Sequence, residues 1–342
     1  MNVGVIGYGY WGPNLVRNFA EATGCKLAAV ADLNPSRLLH VQARYPSVRT
    51  TLRAEEIISD PSIDIVVIAT PVSTHFDLAM SALQEGKHVL VEKPVTTSLD
   101  TALRLADEAE RRRLVLMVDH TFVYHGAVRL LKKVLDGGEL GDLYYFDSVR
   151  VNLGLFQTDV SVLWDLAVHD LSILNYLIAA RPRAVAAAGV SHVAGRPADI
   201  AYLTLLYDAN FIAHINVNWL APVKIRRTLI GGSRQMAMYD DLDQSEKVKI
   251  YDKGITVNDD PEEVYRLLIS YRTGDVRAPQ FDMTEALRTE VGHLVDCVQH
   301  GKKPITDGRA GADVVEILEL ATRSLHENGR PIEVSSRGSV NA

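Results

Sequence analysis

Asn2-Val3-Gly4-Val5-Ile6-Gly7-Tyr8-Gly9-Tyr10-Trp11-Gly12 opens the chain. The run from Asn2 to Ile6 reads as a buried strand, and glycines 7, 9 and 12 fall directly behind it, just before a helical stretch. Each glycine has its own physical use there. Gly7 permits a tight turn, Gly9 lets backbone approach a pyrophosphate, and Gly12 lets helix and strand pack closely. The following helix would aim its N-terminal amides and dipole at the phosphates. Glycines also serve plain turns, so the triplet needs support from its surroundings. Asp32 supplies it by ending the second apolar run, twenty residues beyond Gly12, where an acid meets an adenine ribose. The competing reading is a turn followed by a solvated strand-end acid. Strand, glycines, helix and acid in register predict a dinucleotide site with Tyr8, Tyr10, Trp11, Leu33 and Arg37 around it. Asp32 would repel a ribose phosphate, so NAD(H) is expected over NADP(H), with Arg37 as the complication.

Outward from this stretch, short apolar runs alternate with amphipathic helical patterns, as in parallel βαβ units. The runs Lys26–Ala31, Ile63–Ala69, His88–Val91 and Val115–Val118 read as further buried parallel strands. Thr74–Glu85 reads as a helix with Phe76, Ala79, Met80 and Leu83 on one face and Thr74 as its cap. Leu99–Arg112 repeats the pattern with Leu99, Ala102, Leu103, Ala106 and Ala109. A helix over Ala127–Leu135 is closed by Gly137-Gly138.

Longer, partly alternating strands then appear at Tyr144–Asn152, Ala201–Tyr207, Phe211–Trp219 and Lys224–Ile230. Turns such as Asp208-Ala209-Asn210 mark antiparallel hairpins. Helices are expected over Leu166–Leu177, Thr284–Gln299 and Ala310–Glu327. The expectation is an α/β chain: a Rossmann domain over 1–120, then an α+β domain over 121–342 with a large, mainly antiparallel open sheet. An uncovered face of that sheet would favour a homodimer or homotetramer.

Composition narrows the function classes. A chain of 342 residues suits two domains, and 47% hydrophobic with 23% charged residues is ordinary for a globular protein. Lys and Arg number 36 against 43 Asp and Glu, a net charge of -7 that argues against general nucleic-acid or membrane-surface binding. The two cysteines, Cys25 and Cys297, match no zinc spacing and read as small core residues, so no metal site is expected. A strand beginning at Asn2 leaves no leader, and no apolar run reaches membrane-spanning length. The expected compartment is the cytoplasm.

Three further clusters bear on chemistry. Glu92-Lys93-Pro94 follows a strand at the sheet edge where ligands of such folds bind, although a lysine there also fits a surface charge. Thr70-Pro71 with His75 sits at the end of the preceding strand, where His75 also fits a capping or surface role. Trp164-Asp165-Leu166-Ala167-Val168-His169 opens a helix. Asp165 and His169 are four apart, so in a regular helix they share a face, and an Asp beside a His orients the imidazole for acid/base work. The bland alternative is a capping Asp beside a core or surface His. Lys93 and His169 could together line a cofactor–substrate cleft.

These residues resemble the glucose-fructose oxidoreductase / inositol dehydrogenase / rhizopine catabolism family. The resemblance rests on Gly7 to Gly12, Thr70-Pro71 with His75, Glu92-Lys93-Pro94, and Asp165 with His169. Ala167 stands where the family usually has glycine. The resemblance implies an NAD-dependent oxidoreductase in which Lys93 positions the substrate hydroxyl and the nicotinamide. It makes His169 the general acid/base, sets Asp165 in the substrate pocket, and brings His120 toward the nicotinamide. Arg150 and Asn152 are weaker substrate candidates. The run from Arg150 to His169 and the segment Tyr271-Arg272-Thr273-Gly274-Asp275 are similar to bacterial nucleotide-sugar 3-dehydrogenases, with Arg272 meeting a diphosphate. The implied partner is a small molecule, a nucleotide sugar. Free sugars or inositols are the alternative substrates, and a non-catalytic dinucleotide-binding sensor is the alternative of another class. Retention of both Lys93 and His169 counts against the last.

Overall fold

A computed structural model describes residues 1–154, 160–208, 210–252, 254–257 and 269–335, the strands at 254–257 and 269–272 by their backbone. Strands and helices alternate at the start: β1 (Asn2–Ile6), α1 (Gly12–Glu21), β2 (Lys26–Ala31), α2 (Pro35–Arg44), β3 (Arg49–Thr51), α3 (Glu55–Ile58), β4 (Ile65–Ile68), α4 (His75–Gln84), β5 (His88–Glu92), α5 (Leu99–Arg112) and β6 (Leu116–Asp119). All six strands are parallel, in the order β3-β2-β1-β4-β5-β6. This is the Rossmann order, and the direction of winding reverses between β1 and β4, where ligands meet the carboxyl ends of the strands. Val3, Val5 and Ile6 of β1 and every residue of β4 are buried, as expected of a parallel sheet covered on both faces. Each such aliphatic side chain contributes about 1.5–3 kcal/mol on burial.

Local chemistry sets the helix ends. The Asn34 side chain accepts from Ser36 N at the start of α2, and Ser98 accepts from Thr101 N at the start of α5. Two expectations about α4 are corrected. Thr74 makes no side-chain cap, since its hydroxyl donates to Pro71 O at 2.8 Å. The buried face carries His75, Ala79, Ala82 and Leu83, rotated from the one expected, because His75 takes core space beside the strand ends. The short strand β3 escaped prediction; Arg49-Thr50-Thr51 has none of the apolar run that marks the other strands.

The remainder comprises α6 (Gly126–Asp136), β7 (Leu143–Leu153), α7 (Val168–Leu177), β8 (Ala184–Val190), β9 (Ile200–Leu206), β10 (Ile212–Asn218), β11 (Leu220–Gly232), β12 (Met236–Asp240), β13 (Val248–Tyr251), β14 (Gly254–Val257), β15 (Ile269–Arg272), β16 (Val276–Arg277), α8 (Ala286–His300), α9 (Gly308–His326) and β17 (Ile332–Glu333). Nine of these strands form one sheet, ordered β16-β13-β12-β11-β7-β10-β9-β8-β17. It is antiparallel except where β7 runs beside β10. The expected mainly antiparallel sheet is present, and Gly138 ends α6 with a positive φ as the paired glycines predict. One face of the sheet is core, with Ala201, Leu203, Leu205, Ala213, Ile215 and Val217 buried, while Tyr202 and Ile212 point to the other, half-exposed face.

Two compact units result. The first joins Met1–His125 with Met283–Glu316, and the second joins Gly126–Asp282 with Ile317–Ala342.

Within the second unit a buried ion pair ties sheet to helix. Arg150 of β7 donates from Nε and Nη2 to the two carboxylate oxygens of Asp170 on α7, at 2.7 and 3.1 Å, and Ser148 donates to the same carboxylate at 2.8 Å. Removing one partner from such a pair strands a buried charge. Asp170→Ala should therefore cost about 3–5 kcal/mol in urea unfolding, whereas Arg150→Met with Asp170→Leu should recover most of it. A loss below about 1 kcal/mol for Asp170→Ala would contradict this role for the pair.

Candidate functional site

In the first unit the site is built at the carboxyl end of β1. Gly7 has φ +102°, and a Cβ there would meet Ala69 O at 2.4 Å. A Cβ on Gly12 would meet Gly7 O at 2.3 Å. These two glycines close the turn. Gly9 differs: the nearest atom to its Cβ would be Arg37 Nη1, 3.7 Å away, so the space above it is open. Gly9 can therefore admit a pyrophosphate against its backbone, while α1 begins at Gly12 with Pro13 in its first turn. The three glycines thus divide into two structural positions and one open cradle that fits the dinucleotide.

Asp32, at the end of β2, fixes the turn from the neighbouring strand. One carboxylate oxygen accepts from Tyr8 N at 2.6 Å and the other from Asn34 N at 2.8 Å. Arg37 lies 3.4 Å from the same carboxylate, with its side chain half exposed. Tyr10 and Leu33 are 91% and 89% exposed, so they form an apolar rim beside Asp32 and Gly9. Such a rim suits an adenine ring, whereas Tyr8 is buried beneath the turn.

The ends of the next strands bring the other residues in. His75 is buried, with Nδ1 2.9 Å from Pro94 O and Nε2 2.8 Å from Thr70 O. It joins the loops after β4 and β5, which corrects its reading as a capping or surface residue. Burial lowers its pKa, against the pull of the two carbonyls. The Thr70 and Thr74 hydroxyls are 2.7 Å apart, and Pro71 is exposed beside them. Glu92 ends β5 and accepts from Lys93 N at 2.9 Å, and the Lys93–Pro94 peptide is cis. Burial holds the Glu92 carboxyl well above its ordinary range, with the neighbouring Asp119 adding to the effect.

Asp119, which sequence reasoning missed, ends β6. It accepts from Trp11 Nε1 at 2.9 Å and from the Thr121 hydroxyl at 2.5 Å, so it links the glycine turn to the far strands. His120 beside it is 2% exposed with neither ring nitrogen hydrogen-bonded, and burial takes its pKa down to about 4. A neutral, buried His120 thus follows directly on β6. Tyr124 is likewise buried, its hydroxyl 2.9 Å from that of Thr306.

In the second unit, Asp165 and His169 do not share a regular helix. Leu163–Ala167 forms a π-helical turn, and the α-helix begins only at Val168. Asp165 lies in that turn, where the Trp219 indole Nε1 donates to it at 3.1 Å. His169 is half-buried in the first turn of α7, and the Ser172 hydroxyl caps its carbonyl at 2.8 Å. Single-turn π segments are frequent at functional sites. Arg150 is 2% exposed and paired with Asp170, and Asn152, two residues on, is half-buried. Arg272 closes β15, and its side chain lies outside the described residues.

Comparison with known proteins places both halves of the chain. Residues 1–120 match the model described as "Oxidoreductase family, NAD-binding Rossmann fold", and residues 132–334 match "Oxidoreductase family, C-terminal alpha/beta domain". The chain is 30% identical to UDP-N-acetylglucosamine 3-dehydrogenase of Acidithiobacillus ferrooxidans over 326 residues, 92% of this chain and 94% of the relative. It is 25% identical to scyllo-inositol 2-dehydrogenase (NAD(+)) of Bacillus subtilis, over 98% and 95% of the two chains. A solved structure of the Acidithiobacillus ferrooxidans UDP-N-acetylglucosamine 3-dehydrogenase superposes with a TM-score of 0.81 at 27% identity, covering 96% of this chain and 98% of the other.

The geometry separates the glycines experimentally. Gly9→Val should fold with an unchanged melting temperature and lose measurable NAD binding in calorimetric titration, because only the ligand's space is filled. Gly12→Ala should lower the melting temperature, since its Cβ meets backbone. A folded Gly9→Val protein that binds NAD normally would show that the pyrophosphate lies elsewhere. Asp32→Ala should narrow the preference for NAD(H) over NADP(H), read from the ratio of the two dissociation constants; an unchanged ratio would place the ribose away from β2.

Proposed function

The chain belongs to the glucose-fructose oxidoreductase / inositol dehydrogenase / rhizopine catabolism oxidoreductase family, an NAD-binding dehydrogenase acting on CH–OH groups, and from that premise we propose that it oxidises or reduces the 3-position of a nucleotide sugar. The observation that carries this reading is the extent of the similarity to the UDP-N-acetylglucosamine 3-dehydrogenase. It spans 92% of this chain and 94% of the relative.

Oxidation of a ring alcohol requires a base to take the hydroxyl proton as hydride leaves the carbon. NAD, when bound, supplies the hydride acceptor. His169 is assigned the proton, because an imidazole with its ordinary pKa of about 6.5 exchanges it near neutral pH. Lys93, at the end of β5, is assigned the same hydroxyl oxygen, where its ammonium stabilises the charge that grows as the proton departs. Asp165, oriented by the Trp219 indole, accepts from a second sugar hydroxyl. Arg272 is the proposed diphosphate contact. Dehydrogenation of free sugars or inositols is the second reading, favoured by the similarity to scyllo-inositol 2-dehydrogenase over 98% of the chain. The half-exposed sheet face supports association into a homodimer or homotetramer. No described helix is long and apolar enough to cross a membrane.

His169→Asn should lower turnover of the nucleotide sugar about 10²- to 10⁴-fold with little change in NAD affinity. Lys93→Ala should cost at least as much, because it removes both charge and positioning. Near-normal turnover by His169→Asn across the pH range would sink the assignment. Turnover of inositol but not of UDP-N-acetylglucosamine by the wild-type protein would favour the second reading.

A further inference from the structure

Glu290 lies on the apolar stripe of α8, between Leu287 and Leu294, and is fully buried in the first unit. Among the described residues, no N–H or O–H group donates a hydrogen bond to either of its carboxylate oxygens. A buried ionised carboxylate with no donor is among the most costly arrangements a protein can hold. Its surroundings deepen the problem. Asp119 of β6 and Glu92 of β5 both face it, as does the Tyr124 hydroxyl from the turn after β6. Lys93 and His120 lie nearby, closer to Glu92 and Asp119. The three carboxyl groups do not converge as a metal site.

The hydrogen-bond directions show where the hydrogen must be. Asp119 accepts on one oxygen from Trp11 Nε1, which can only donate, and on the other from the Thr121 hydroxyl. The indole-bound oxygen of Asp119 therefore carries no hydrogen. With the hydrogen of Thr121 on Asp119, none is left for Glu290, although that hydroxyl lies within its reach. The two carboxyl groups then face each other favourably only with a hydrogen between them, and Glu290, whose oxygens have no other donor among the described residues, gains most from carrying it.

We propose that Glu290 donates its carboxyl hydrogen to Asp119, and that this bond, passed on to the Trp11 indole, makes Glu290 a positioning residue for the NAD-binding turn. Burial, with Asp119 beside it, raises the Glu290 carboxyl well above its ordinary range, in the direction that keeps the hydrogen in place. The sign follows. The bond exists below the folded-state pKa of Glu290 and is lost as pH rises through it, when a second negative charge appears against Asp119. NAD affinity should then carry an alkaline limb. The proposal rests on NAD binding by the first unit and not on the identity of the sugar. A binding measurement therefore tests it apart from turnover.

NAD dissociation constants are to be measured by titration from pH 6 to 9 for the wild type, Glu290→Gln and Glu290→Leu. Glutamine keeps a donor and cannot ionise, so Glu290→Gln should bind within about twofold of wild type at neutral pH and lack the alkaline weakening. Leucine fills the space without a donor, so Glu290→Leu should weaken binding about tenfold. In a Trp11→Phe background, where the indole link is gone, Glu290→Leu should add nothing further. If Gln and Leu behave alike, Glu290 only fills space and the proposal is overturned; the same holds if Gln is as damaging as Leu. Infrared spectroscopy keeps the test decisive should Glu290→Leu fail to fold. Wild type at neutral pH should show the C=O stretch of a buried protonated carboxyl that Glu290→Gln lacks, and its absence from wild type would overturn the assignment.

Discussion

The turn between β1 and α1 has no room for side chains at two of its corners, and the first unit is arranged around that constraint. Carbonyl oxygens stand 2.4 and 2.3 Å from where a Cβ would sit on Gly7 and Gly12, so helix and strand are held against each other at the limit of contact. The turn being that tight, the N-terminus of α1 faces outward over the open position at Gly9. Tyr8 N is brought within 2.6 Å of Asp32, and the Trp11 indole within 2.9 Å of Asp119. Acids from strands on either side of β1 thus hold one loop from two directions. A helix end, a backbone cradle and an acid for the ribose follow from a single close approach.

The two units handle buried charge differently. In the second, Arg150 and Asp170 meet as ions, and a bidentate geometry with Ser148 completing the acceptors offsets the cost of taking them from water. In the first, Glu92, Asp119 and Glu290 gather with too few donors for three negative charges. Such a cluster is tolerable when only part of it is ionised, which ties its hydrogen bonds to protons in a way the Arg150 pair is not.

Most of the first unit was legible from local pattern. The glycine spacing behind a buried strand and the acid at Asp32 depend on short stretches of chain, and Leu99–Arg112 forms the helix predicted to the residue. What escaped depends on neighbours distant in sequence. β3 is held by pairing with β2 rather than by its own composition. His75 is buried because Pro94 O, nineteen residues away, takes one of its ring nitrogens. The π turn at Leu163–Ala167, which puts Asp165 outside the regular helix that begins at Val168, carries no sequence mark. The pairing of Arg150 with Asp170 was equally hidden, because it spans a sheet–helix layer twenty residues apart. Glu290 did leave a trace: an acid inside the stripe of Leu287, Val291 and Leu294 is out of place in a core and asks for an explanation. Met283–Glu316 joins the first unit across more than 150 intervening residues, an association that no local pattern encodes.

The central claim is that this chain moves hydride between NAD and one ring carbon of a nucleotide sugar. UDP-N-acetylglucosamine carrying deuterium only at C3, incubated with the protein and NAD+, tests it most directly. Mass spectrometry of the reduced nucleotide should find the deuterium in NADH, and the same sugar labelled at C4 should transfer none. Reduced nucleotide without deuterium from C3, or transfer from C4, would contradict the account.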